Sequence, residues 1–400
     1  MPLKERSLNM YLVDTNILLT ADISKLVQQH DKLGLAAEVV DELDNFKNED
    51  GDRGYAARRA LRGIEANSEH FEFLTKDSAF YCTYNPRNTY VDNILLSYNM
   101  PIMTNDLGLR LKAKHIGLET ISYIETPEKF EPIKNIELPS SDIEAFAASA
   151  KHQNIYNVKN SQYLILQNSE MLDIYKYIGD ELFERVYPNK IKNYLFSVDP
   201  LDEYQACAID SLLKDDMTII TGKPGSGKSL LSLAYCLKRI KEGASVHIFV
   251  NPVKARYSEN LGYYSGDRNE KLLQNSIGDI LRNKIGDIVE VESLMRDGAI
   301  NIYPISDIRG IEIKRGDILY ITEAQNLSID LLKLAIQRCA EGSKIIIEGD
   351  PCAQIDDKYY MGLNNGLLRA IKLFENKDRI GVIELQYIYR STIAELAEEL

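Results

Sequence analysis

MTIITGKPGSGKSLLSLAYCLKRI, residues 217–240, decides the fold of this chain. It opens with an apolar, β-rich run, Met217–Thr221. It closes with Leu230–Ile240, a helical pattern free of Pro and Gly. Between them stands GKPGSGKS (222–229), which fits the phosphate-binding pattern G-x-x-x-x-G-K-[S/T] at each fixed position. The residue types explain the pattern. Gly222, Gly225 and Gly227 let the backbone curl, with Lys223, Pro224 and Ser226 between them, so that N–H groups face an anion. Lys228 has the length to reach β- and γ-phosphates, and the Ser229 hydroxyl suits a Mg²⁺ ligand. Strand, loop and helix in that order predict a nucleotide-binding α/β domain.

Working outward, the 400 residues have room for two or three domains. Three stretches separate: 1–125, with short apolar runs alternating with helical patterns; 126–200; and 201–400, strongly α/β. Pro127, Pro132 and Pro139 among polar residues read as a linker, and Asn160–Gln167 (NSQYLILQ) as a buried strand in a small β-rich segment. In the last stretch the expected strands are Met217–Thr221, Val246–Val250, Ile318–Ile321, Lys344–Glu348 and Val382–Leu385. The composition, 44% hydrophobic and 27% charged, is that of a globular protein, and no apolar run reaches membrane-spanning length. The N-terminus, MPLKERSLNMYLVDTN, lacks the basic-then-apolar layout of a signal peptide. The five cysteines (Cys82, Cys207, Cys236, Cys339, Cys352) are scattered and form no CxxC pair, so a cytoplasmic location with reduced thiols is expected. A net charge of −13 confines any nucleic-acid contact to local basic patches.

A nucleotide hydrolase also needs a carboxylate beside the loop. ILYITEAQN (318–326) ends an apolar strand in Glu-Ala-Gln, which makes Glu323 the candidate general base and Gln325 the candidate γ-phosphate sensor. KIIIEGDPCAQID (344–356) ends a second strand in Gly-Asp, placing Asp350 and Gln354 near the nucleotide. Gln205, in EYQACAIDSLL (203–213), carries an amide able to read both edges of an adenine.

These blocks, with NPV (251–253), LGYYSG (261–266) and NNGL (364–367), resemble the ATPase domain of the PhoH-like proteins, relatives of the superfamily 1 helicases. The resemblance implies ATP hydrolysis coupled to RNA in a homo-oligomer, often a ring, with a hexamer as the expected closed form. It also implies that an arginine, matched here by Arg390, completes a neighbouring subunit's site; Arg309 is a second basic candidate. Two positions depart from the family. Thr322 stands where an aspartate usually holds the water shell of Mg²⁺, and Asn251 replaces an arginine.

The first 125 residues carry acids at expected strand ends and helix starts: Asp14, Glu42, Asp92 and Asp106. Taken singly, each reads as a helix cap. Taken together, they are expected to converge at the carboxyl edge of a parallel sheet, where a divalent cation would relieve their repulsion and activate water. VDTNILL (13–19), VVDELDNFK (39–47), GYAARRALR (54–62), VDNIL (91–95) and TNDLGLRLKAK (104–114) resemble the PIN-domain nucleases, and a PIN-like domain fused to a PhoH-like ATPase is itself a known architecture. The resemblance implies Mg²⁺ or Mn²⁺ at the four acids and single-stranded RNA as substrate. Arg58, Arg59 and Arg62, and Arg110, Lys112 and Lys114, are candidate phosphate contacts. Three readings follow: an ATP-dependent RNA helicase or translocase joined to a metal-dependent ribonuclease; the same ATPase with a PIN-like domain that only binds RNA; and a nucleotide-bound regulatory protein of little turnover, which Thr322 motivates.

Overall fold

A computed structural model of the chain describes residues 10–49, 52–75, 91–123, 131–149, 151–250, 288–351 and 365–389. These fall into two compact units, residues 10–123 and 131–389.

The N-terminal unit is a parallel sheet of β1 (Tyr11–Val13), β2 (Leu33–Ala36), β3 (Phe71–Leu74), β4 (Ile102–Met103) and β5 (Thr120–Ile121) in the order β3-β2-β1-β4-β5. Around it lie α1 (Thr15–Thr20), α2 (Ile23–Gln29), α3 (Ala37–Phe46), α4 (Asp52–Ala66), α5 (Val91–Ser97) and α6 (Leu107–His115). Helices cover the centre of the sheet. The central strands β1, β2 and β4 are therefore apolar, and Leu12, Val13, Leu33 and Met103 are sealed with Ile17, Leu18, Leu43, Ala57 and Leu95 from the helices, while the edge strand β3 exposes Glu72 and Phe73. Strand order reverses at β1, whose neighbours are β2 and β4. That switch point opens a crevice at the carboxyl ends of the strands, the usual place for a ligand in an open α/β sheet.

The second unit begins within the stretch expected to be a linker. Pro132 and Pro139 flank a strand, β6 (Ile133–Glu137), which pairs in parallel with β7 (Tyr163–Gln167). Proline at the ends of an edge strand removes no ladder hydrogen bond, which is why a Pro-spaced stretch can be a strand. β8 (Leu172–Tyr177) and β9 (Phe183–Val186) continue the sheet antiparallel, α7 (Ser140–Ala148) covers one face, and β10 (Ile191–Lys192) pairs with β11 (Ser197–Val198) in a short ribbon. Both faces of β7 are buried. Leu164 and Leu166 pack with Ile143 and Phe146, while Tyr163 and Ile165 join the core of the following domain.

That domain is a six-stranded parallel sheet of β12 (Met217–Gly222), β13 (Val246–Val250), β14 (Ile300–Pro304), β15 (Ile318–Ile321), β16 (Lys344–Gly349) and β17 (Ile380–Leu385), in the order β14-β13-β15-β16-β12-β17. Three strands lie within a residue or two of their expected bounds, and Val246–Val250 and Ile318–Ile321 coincide with theirs. The edge strand β14, in INIYP, carried no separate signal. The helices are α8 (Glu203–Lys214), α9 (Lys228–Lys241), α10 (Ile288–Arg296), α11 (Ile329–Ile336) and α12 (Gly366–Phe374). Alternation along each strand sorts the core. Ile220, Tyr320 and Ile346 face a layer with Cys207, Ile209 and Leu237 of α8 and α9, while Ile219, Leu319 and Ile347 face Leu332 and Leu367 of α11 and α12. β16 thus lies between the phosphate-loop strand and β15, which brings Ile220 opposite Glu348 and Ile321 opposite Ile347. No described helix is long and apolar enough to cross a membrane.

Candidate functional sites

The loop after β12 has the backbone its glycines permit. Gly222, Gly225 and Gly227 have φ of 141°, 89° and 101°, in the left-handed region that side chains disfavour. At Gly222 a Cβ would stand 2.7 Å from the Leu385 carbonyl oxygen, so the end of β17 also dictates glycine there. Beyond β17 the chain continues along the loop, where the Tyr389 N–H donates to the Gly225 carbonyl at 3.0 Å. Lys228 Nζ donates to the Gly222 and Lys223 carbonyls at 2.5 and 3.0 Å, which holds the ammonium at the mouth of the loop. Pro224 is half-buried and Ser226 buried, while Lys223 is exposed.

Gln205 lies behind this loop. Its Nε2 donates to the Ser226 carbonyl at 3.1 Å, and its Oε1 accepts from the Leu201 N–H at 3.0 Å. It is 3% exposed. The amide that sequence assigns to adenine is committed to backbone, so it positions the loop. Gln325 is similar. It is fully buried, donates to Glu323 Oε2 at 2.6 Å and accepts from the Asp350 N–H at 3.1 Å. It ties the ends of β15 and β16 together and orients Glu323. Glu323 itself is exposed at the strand end, at φ 51°, ψ 42°, a strained left-handed conformation for a non-glycine residue. Such strain persists only where the surroundings enforce it. Asp350 is buried directly after β16. Arg309 is exposed on the turn Ile305–Gly310. Gln354, Arg390 and Asn251 lie outside the described residues.

Sequence reading missed Glu348. It is 3% exposed, with Ser229 Oγ donating to its Oε1 at 2.7 Å and Ser232 Oγ to its Oε2 at 3.2 Å. Burial pushes its pKa up, the Ser229 hydrogen bond pulls it down, and so does the nearby Lys228. The signal available in the sequence was a lone glutamate closing an otherwise apolar strand. Ser229 is the residue the motif assigns to Mg²⁺, and oxygen donors of this kind suit that cation.

In the N-terminal unit Asp14 sits at the switch point, 3% exposed, at the start of α1. Its carboxylate makes no cap bond. It accepts instead from Asn16 Nδ2 and Thr104 Oγ1, both at 2.6 Å. Thr104 follows β4 and accepts in turn from the Asp106 N–H at 3.0 Å, so Thr104 and Asn16 fasten the two central strand ends together. Neither had been singled out. Burial raises the Asp14 pKa to about 7, and the charges of Asp92 and Glu42 push in the same direction. Burial also raises Asp92, as does Asp106, against Lys112. All four acids are therefore linked electrostatically, Asp14 to Glu42 and Asp92, and Asp92 to Asp106.

Their local settings differ from the sequence reading. Glu42 lies within α3, not at its start, because the strand ends at Ala36 and the helix begins at Ala37; it accepts from Thr15 Oγ1 at 2.5 Å. Asp106 is a working cap, accepting from the Leu109 N–H at 2.7 Å. The donor chemistry, carboxylate oxygens with one deeply buried, fits a hard divalent cation. Among the described residues, however, no three His, Cys, Asp or Glu side chains converge as a ready-made metal-ligand group. Of the arginines, Arg59 is tied to the Leu19 carbonyl at 2.7 Å and serves the fold. Arg58 and Arg62 are exposed, each with a backbone hydrogen bond. Lys112 and Lys114 are exposed on α6.

Residues 197–400 match the family of PhoH-like proteins, and residues 11–124 match the PIN domain. Protein PhoH2 of Bacillus subtilis (strain 168) is 26% identical over 450 aligned positions, spanning 98% of this chain and 99% of that protein. A PhoH-like protein of the same organism is 29% identical over 51% of this chain and 64% of its own length. Protein PhoH of Escherichia coli (strain K12) is 25% identical over 46% of this chain and 51% of its own. The first match is to a P-loop ATPase family and the second to a nuclease domain, with residues 125–196 between them, and the relative PhoH2 spans all three stretches. The chain belongs to the PhoH-like proteins, in the form that joins an N-terminal PIN domain to the PhoH domain.

Proposed function

We propose that this protein is an ATP-dependent RNA helicase or translocase joined to a metal-dependent endoribonuclease. The observation that carries the reading is the strand–loop–helix at Met217–Lys241, with Lys228 and Ser229 opening a 14-residue helix and Glu323 oriented by Gln325 at the end of β15. The helix N-terminus and loop amides bind phosphate. Glu323 takes the proton of the attacking water, and Lys228 moves from the loop carbonyls to the β- and γ-phosphates. Ser229 would hold a Mg²⁺ that would neutralise phosphate charge. In the N-terminal unit Asp14, Glu42, Asp92 and Asp106 would hold Mg²⁺ or Mn²⁺, and such an ion would supply activated water for phosphodiester cleavage of single-stranded RNA. With a net charge of −13, RNA contact falls to local bases such as Arg58, Arg62, Lys112 and Lys114. A cytoplasmic homo-oligomer, a hexameric ring with Arg390 reaching the neighbouring site, fits the same reading.

A second reading is favoured by one observation: no three acids in the described N-terminal unit form a closed ligand set. In it the PIN domain binds RNA without cutting. One experiment on the full-length protein decides between them and tests the ATPase. ATP turnover and RNA cleavage are measured with and without single-stranded RNA and Mg²⁺ or Mn²⁺. RNA should stimulate turnover, Glu323→Gln should lower it about 10²–10⁴-fold, and Asp106→Asn should abolish cleavage while sparing turnover. Cleavage that survives Asp106→Asn removes the nuclease assignment, and no metal-dependent cleavage in the wild type leaves the binding-only reading. Absence of turnover in the wild type would leave a nucleotide-bound regulatory protein.

A further inference from the structure

Position 322 and position 348 trade chemistry. Thr322 follows β15 where the family's aspartate holds the water shell of Mg²⁺; it is 3% exposed and neutral. The next strand, β16, lies between β15 and the phosphate-loop strand, and its pairing runs Ile321–Ile347 on one side and Ile220–Glu348 on the other. One step beyond Ile321–Ile347, Thr322 and Glu348 stand at the same level on neighbouring strands, about 4.8 Å apart in the pairing direction. Glu348 is one methylene longer than aspartate and belongs to the strand nearer the loop. Both of its oxygens are engaged by the first turns of α9, from Ser229 at 2.7 Å and Ser232 at 3.2 Å. These hydrogen bonds hold a carboxylate, the oxygen donor that suits Mg²⁺, directly against the hydroxyl that the loop motif assigns to the cation.

We propose that Glu348 supplies the carboxylate that holds the hydration shell of the nucleotide's Mg²⁺ beside Ser229, in place of the aspartate that Thr322 replaces. The acid has moved one strand sideways, so the site keeps one neutral and one acidic residue at this level of the sheet. With a cation bound, Ser229 would offer its oxygen lone pair to the metal while its O–H goes on donating to Glu348. Ser232 holds the second carboxylate oxygen and fixes the side chain under the loop. The assignment rests on the ATP reading above.

The test is binding, not turnover. Binding of a fluorescent ATP analogue to the full chain is measured in EDTA and across a Mg²⁺ titration, and Mn²⁺ in the presence of ATP is followed by electron paramagnetic resonance. Glu348→Gln, which keeps shape and a hydrogen bond to Ser229, should leave metal-free binding intact and raise the half-saturating Mg²⁺ roughly 10–100-fold, with a matching loss of bound Mn²⁺ signal. Thr322→Asp added to Glu348→Gln should restore the wild-type metal dependence. An unchanged Mg²⁺ titration in Glu348→Gln overturns the proposal and makes Glu348 a structural residue. If Glu348→Gln also weakens metal-free binding, the double variant decides: recovery of both supports the proposal, and recovery of neither overturns it. A wild type that binds no nucleotide at all sinks the ATP reading, and this one with it, a result distinct from the others.

Discussion

At the scale of single residues, the ATPase domain stakes much on buried polar groups that do not touch phosphate. Lys344 opens β16 as a buried residue, 6% exposed, its Nζ donating to the Ser211 and Asp215 carbonyls at 3.0 and 2.6 Å and to Thr218 Oγ1 at 2.9 Å. Burial pushes its pKa down to about 7, against the upward pull of Asp215. An unfolded lysine titrates near 10.4, so between about pH 7 and 10 the unfolded chain holds a proton that the folded one has released. Stability of this unit should therefore rise with pH across that window, by up to about 1.4 kcal/mol per unit from this group. Urea denaturation of the wild type and Lys344→Met at pH 7 and 9 checks it: the wild type should gain on the variant at the higher pH. Parallel curves would assign Lys344 an ordinary pKa.

The elements meet most tightly where β16 passes the turn after β15. A Cβ on Gly349 would lie 2.4 Å from Gln325 Oε1, 2.8 Å from Leu367 Cδ2 and 3.2 Å from the Ala324 amide nitrogen. Two of these atoms belong to the turn that carries Glu323. Gly349→Ala must push β16 and that turn apart, break the Gln325–Asp350 bond and release Glu323. Overpacking of this kind costs about 1–3 kcal/mol. Turnover should fall with it, while nucleotide binding through the loop persists. A variant of wild-type stability and rate would show that the strand ends yield freely. The glycine of the Gly-Asp strand end was legible in sequence; its reason was not, because Gln325 comes from a different strand.

For each unit as a whole, the question is which segments share a core. The β6–β9 sheet reads in sequence as a separate small segment, yet Tyr163, Ile165, Ile174 and Val186 belong to the same buried cluster as Cys207, Ile209 and Leu212 of α8. The Tyr163 hydroxyl donates to Asp210 Oδ2 at 3.0 Å, and Lys176 pairs with Asp215 at 2.5 Å, both buried. The sheet therefore stabilises the helix that positions Gln205 behind the phosphate loop. Tyr163→Ala should cost about 3–5 kcal/mol, the range for emptying a large aromatic site. It should lower the urea midpoint of the 131–389 unit and leave that of the N-terminal unit unchanged. A shift below about 1 kcal/mol, within ordinary surface effects, would mean the sheet is an appendage.

What the sequence determined by itself is local and periodic. GKPGSGKS specifies a loop because only glycine tolerates φ of 89° to 141° at those three positions, and apolar runs bounded by helical patterns specify parallel strands covered on both faces. The same logic placed Asp14 at a strand end and Glu323 after β15. What the tertiary structure decided is pairing between distant segments. Glu348 meets Ser229 across 119 residues, Thr104 meets Asp14 across 90, and Gln325 meets Asp350 across 25. Strand order alone sets those neighbours, since β16 lies between β12 and β15 in the sheet although it follows both in the chain. Periodicity reports which face a side chain occupies, and not which strand stands beside it.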